Sequence, residues 1–85
     1  AHDRSPVVRL NRAVALAEVE GSASGLAEVE TLADALSGYH LWHAVRGHLL
    51  RDLGDGDAAV EADLQALELT ANEAERRLIA ARLAR

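Results

Sequence analysis

Apolar side chains return every three or four residues in five stretches of the chain, the spacing of helices that each bury one face. The first stretch, about 6–19, places Val7, Leu10, Val14 and Ala17 on one side, with Ala13 and Leu16 beside them. Ser5 followed by Pro6 opens it, a capping side chain and then a residue whose fixed φ suits the first helical position. Gly21-Ser22-Ala23-Ser24-Gly25 interrupts the pattern, and a second helix is predicted over about 26–36 with Leu26, Val29, Leu32, Ala33 and Leu36 at helical spacing. Ser37-Gly38 is the next break. The third helix, about 39–53, carries Trp42, Val45, Leu49, Leu50 and Leu53, and Gly54 ends it. Asp55-Gly56-Asp57 forms a turn, with Asp57 predicted to cap a fourth helix that ends near Thr70. Asn72 with Glu75 three residues on is a capping-box pattern, opening a last helix with Leu78, Ile79 and Leu83 on its buried side. Residues 1–4 read as a frayed entry or the tail of a linker.

Composition narrows this all-α reading. A chain of 85 residues makes one domain, and at that size folding buries only roughly 60–65% of the unfolded surface. Tyr39 and Trp42 are the only aromatic residues. A core of Ala, Leu and Val suits closely packed helices better than a β-sandwich. The absence of cysteine excludes disulfides and thiolate metal sites. No apolar run approaches the ~20 residues of a membrane span and no signal-peptide pattern is present, so a cytoplasmic protein is expected. All nine basic residues are Arg, which together with abundant Ala fits a GC-rich bacterial genome.

The net charge of −5 argues against non-specific binding to nucleic acid, and no direct contact with DNA is expected. Between positions 52 and 75 there are eight acidic residues and no basic one, and Arg76, Arg77, Arg82 and Arg85 follow. Helix-dipole matching and solvated faces account for that split.

The stretch 46–72 is the most informative. Small residues at Gly47, Ala59 and Ala66 permit two helix backbones to approach, and Leu50, Leu53, Val60, Leu64 and Leu67 are expected to fill the space beside them. A repeat at 34 residues pairs Arg12 with Arg46, Ala13 with Gly47, Leu16 with Leu50, Val19 with Leu53 and Gly25 with Ala59. The period is that of tetratricopeptide (TPR) repeats, and the order of small and large residues resembles the TPR helical hairpin. The resemblance implies a single domain over 1–85: one hairpin at about 5–36, a second at about 38–70, and a capping helix at about 72–84. The first copy is degenerate in its second helix, where Glu30 stands opposite Leu64. Two repeats are few for an independent solenoid, which implies either a part of a larger protein or a homodimer.

A second resemblance covers nearly the whole chain. The runs Ser5-Pro-Val-Val-Arg-Leu-Asn-Arg-Ala-Val-Ala-Leu-Ala-Glu-Val-Glu-Gly21, Gly38-Tyr-His-Leu-Trp-His-Ala44 and Asn72-Glu-Ala-Glu-Arg-Arg77 are similar to the C-terminal extension of a group of bacterial extracytoplasmic-function RNA polymerase sigma factors. In that group a TPR-like region follows the two sigma domains. The resemblance implies an interaction and regulatory module in transcription initiation that docks onto the sigma domains of its own polypeptide, onto RNA polymerase, or onto a second copy. Promoter-reading helices have no counterpart among these residues. A free-standing TPR-like adaptor for a peptide of another protein is the alternative.

Candidate chemistry is sparse. His40 and His43 lie three apart on a helix and would offer two zinc ligands, but no third is evident and His48 is rotated away, so they read as polar side chains on the outside of a helix. Carboxylate pairs such as Glu28 with Asp34, or Asp57 with Glu61, have no pocket to converge in. Ser22 and Ser24 follow a helix, whereas a nucleophile elbow needs a preceding strand. The glycines match no phosphate loop. No catalysis and no cofactor are expected. Trp42 reads as a core anchor, and the recurring Arg12 and Arg46 as carboxylate-paired arginines at the helix seam, with contact to a partner as the second reading. Val7, Leu10, Val14 and Ala17 of the first helix, with Leu41, Ala44 and His48 of the third, are expected to line an apolar, partner-binding inner face.

Overall fold

The computed structural model of the protein describes residues 5–84, so the readings made for residues 1–4 and for Arg85 lie outside it. Six helices follow one another without a strand among the described residues: α1 (Pro6–Glu20), α2 (Ser22–Glu30), α3 (Ala33–Leu36), α4 (His40–Asp52), α5 (Gly56–Leu69) and α6 (Glu73–Leu83). The fold is all-α. Its starts follow local chemistry. Ser5 Oγ accepts the Val8 N–H at 3.2 Å and Pro6 occupies the first turn of α1. Asn72 Oδ1 accepts the Glu75 N–H at 3.0 Å at the start of α6. At the start of α5 the cap is Asp55, which accepts the Ala58 N–H at 3.3 Å, and not Asp57. Asp57 lies inside the first turn, where its charge still complements the helix dipole.

Two hairpins organise the molecule, α1 with α2 and α4 with α5, joined through α2 against α4. Each hairpin crosses where a backbone has no side chain to keep its neighbour away. In the first, Gly25 rests on Ala17 and the Ala13 carbonyl; in the second, Gly47 rests on Asp63 and the Ala59 carbonyl. These contacts recur at the 34-residue period, as the pairs Ala13/Gly47 and Gly25/Ala59 require. The main apolar cluster holds Leu10, Ala13, Val29, Leu32, Leu36, Trp42 and Leu49, and a smaller one holds Leu50, Ala59 and Ala62. Leu26 packs against both. The joint between hairpins is closed by Trp42, whose Nε1–H donates to the Val29 carbonyl at 2.8 Å, and by Arg46, which pairs with Glu30 at 2.6 Å.

Three sequence expectations change here. The stretch Gly21–Gly25 is not a loop. Only Gly21, with φ of 103°, breaks the chain, and α2 begins at Ser22 because Gly25 is needed inside it for the crossing with α1. The second helix is also split, giving six helices where five were expected. The Val29 carbonyl accepts from Leu32 N–H at 3.0 Å and from Trp42, so the helix tightens at Thr31-Leu32 and restarts as α3.

The third change concerns the large aliphatics. Leu53, Val60 and Leu64 are exposed and Leu67 is half-buried, because the buried contact between α4 and α5 is made by Gly47, Leu50, Ala59 and Ala62 instead. On α6, Ile79 takes the buried place and Leu83 is half-buried, while Leu78, one step around the helix, is 67% exposed.

Candidate docking surface

α1 and α4 run past each other with their adjoining faces incompletely covered. Between them lies an open groove of about 350 Å³ whose apolar floor includes Val14 and Ala17 from α1 and Leu41, Ala44 and Val45 from α4. Leu78 and Arg82 of α6 close one side. A second cleft of about 340 Å³ shares Leu41, Ala44, Leu78 and Arg82 and extends towards Tyr39 and His40. α6 therefore stands as a wall between two apolar hollows.

Of the seven residues proposed from sequence for the inner face, five lie together along this groove: Val14, Ala17, Leu41, Ala44 and His48. Leu10 does not belong to the surface. It is 0% exposed and sits in the main cluster, because its position on α1 faces the hairpin crossing. Val7 is exposed but lies beyond the residues that line the groove.

Polar groups mark the rim. Glu18 and Asp52 stand at one end, with Ser22 Oγ donating to Asp52 at 3.2 Å and His48 Nε2 at 3.6 Å from the same carboxylate. Arg82 marks the other side. Its guanidinium pairs with Asp63 and reaches the Ala44 carbonyl at 3.4 Å.

Asp63 is the residue that sequence reasoning missed. It is 0% exposed, in the middle of the alanine face of α5, and pairs with Arg82 and, at 2.9 Å, with Arg51. One carboxylate thus ties α4, α5 and α6 together. A signal was available: 59, 62, 63 and 66 are the i, i+3, i+4, i+7 positions of a single face, and the other three are alanine.

His40, His43 and His48 do not converge. His40 pairs with Glu75 of α6, and His43 Nε2 meets the Ser37 carbonyl at 2.6 Å. Among the described residues no cluster of three or more His, Asp or Glu has metal-binding geometry. Arg46 is paired with a carboxylate and also lies 5.8 Å from the centre of the Trp42 ring. No helix among the described residues is long and apolar enough to cross a membrane.

No family model and no solved structure matches the chain. It is 48% identical over 71 residues to an uncharacterized protein of Rhizobium meliloti (strain 1021). That match covers 84% of the chain and 17% of the relative, so the chain spans a small part of the protein it resembles.

Proposed function

We propose that this chain is a helical docking module of an RNA polymerase sigma factor acting in transcription initiation, and that its groove seats a segment of the sigma domains of the same polypeptide. The groove carries the reading. Val14, Ala17, Leu41 and Ala44 form an apolar floor open to solvent, and a domain that keeps such a surface generally covers it in its working state. The sequence resemblance supports the transcriptional setting. The span of only 17% of a relative supports a module carried by a larger polypeptide over a free-standing adaptor. In this reading the domain is bacterial and cytoplasmic, performs no catalysis and holds no cofactor. Its net charge of −5 leaves contact with DNA to other domains.

In vitro transcription with the full-length polypeptide tests this, comparing the parent, Val14→Glu and a version without the module. Val14 faces the groove, so the substitution leaves the fold intact but places a carboxylate where a partner would strip its water. Both altered proteins should change promoter-dependent initiation. If neither does, the module is a passive tail and the reading fails.

A further inference from the structure

We propose that the domain associates head to tail, with Leu64 and Glu68 on α5 of one copy docking against Leu16 and Arg12 on α1 of the next. The molecule contains a template for this contact. Where its own hairpins meet, Leu26 of α2 packs against the cluster that contains Leu50 of α4, and Glu30 of α2 pairs with Arg46 of α4 at 2.6 Å. The leucine and glutamate are four apart on one helix, the arginine and leucine four apart on the other, and the pairs match in antiparallel register.

Both halves of that template recur unused, one at the 34-residue equivalent position and the other a helical turn beyond it. Arg12 and Leu16 are the 34-residue equivalents of Arg46 and Leu50, yet among the described residues no helix covers this side of α1: Arg12 is exposed and Leu16 only half-buried. Leu64 and Glu68 are four apart on α5, as Leu26 and Glu30 are on α2; they stand one helical turn beyond Val60 and Leu64, the 34-residue equivalents of that pair, with Leu64 50% exposed and Glu68 exposed. Neither Arg12 nor Glu68 has a partner among the described residues. A second copy brings Leu64 and Glu68 of α5 to Leu16 and Arg12 of α1 in the register of the internal joint. The two faces are different surfaces, so the contact is heterologous and leaves a free face at each end.

Sedimentation velocity over a concentration series tests the contact. The average mass of the parent should rise with concentration, and less steeply in high salt, which screens the exposed charges. Arg12→Glu and Leu64→Glu should each stay monomeric with an unchanged circular dichroism spectrum. An equimolar mixture of the two should form a one-to-one complex, because the first retains an intact α5 face and the second an intact α1 face. Val14→Glu should associate like the parent, which separates this contact from the groove. A parent that stays monomeric throughout, or a mixture that forms no complex, overturns the proposal. Association that survives in both single variants overturns it as well, by placing the interface elsewhere.

Discussion

Gly47 lies directly against Asp63: a Cβ at position 47 would stand 2.5 Å from Asp63 Oδ1 and 3.3 Å from the Ala59 carbonyl. The missing side chain is what allows a carboxylate to sit inside the helix seam and still reach two arginines. Gly47→Ala would gain about 1 kcal/mol of helix propensity on an open surface. Here it should instead destabilise by about 1–3 kcal/mol, since the added methyl displaces Asp63 from its partners. Urea denaturation followed by circular dichroism gives the sign, and a more stable variant would show that the seam has room.

Asp63→Ala removes the shared partner of Arg51 and Arg82 and leaves both cations facing a gap. Loss of one member of a buried pair costs about 3–5 kcal/mol. The lower end is expected, because the Arg51 and Arg82 side chains are 32% and 20% exposed and can turn to water. The same denaturation experiment checks it. A change under about 1 kcal/mol would mean that the network contributes nothing to stability.

Trp42→Phe keeps most of the apolar contact but removes the donor that meets the Val29 carbonyl at 2.8 Å. The expected loss is about 1–2 kcal/mol, read from the thermal midpoint. The parent's only Trp is 6% exposed, so its emission should be blue-shifted in the folded state and move to the red on unfolding. Emission at the wavelength of free tryptophan in the folded protein would contradict its burial.

Leu10→Asp and Val14→Glu stand one helical turn apart on α1 and should behave oppositely. Leu10 is fully enclosed, and a carboxylate there costs several kcal/mol against a total stability of about 5. That variant should be unfolded, whereas Val14→Glu should melt within a few degrees of the parent. Equal melting of the two would place them on the same face.

Much of this architecture was legible where local chemistry decides it. Ser5-Pro6, the break at Ser37-Gly38 and the Asn72 cap depend on neighbours in the chain, and the 34-residue period set out both hairpins. What escaped depends on residues far apart in sequence. Asp63 reads as solvated until Gly47, Arg51 and Arg82 arrive from two other helices. Gly25 reads as a loop residue until Ala13 and Ala17 need its bare backbone. Leu53, Val60 and Leu64 read as core because leucine usually is, yet the alanine seam already fills that space. For the docking surface, helical spacing brought Val14, Ala17, Leu41, Ala44 and His48 to one groove. It did not separate Leu10, because periodicity alone does not say which edge of an apolar stripe a neighbouring helix covers.

The division of the core also sets an order of events during synthesis. The main apolar cluster draws on nothing later than Leu49, so the first hairpin and α4 can close around Trp42 as soon as that much chain has left the ribosome. α6 emerges last and inserts a single buried apolar side chain, Ile79, held in register by Glu75 against His40, Arg82 against Asp63 and Arg76 against the Leu67 carbonyl at the end of α5. Assembly therefore ends in an electrostatic latch, and unravelling begins there too: the final helix can leave and return while the older part of the molecule stays closed.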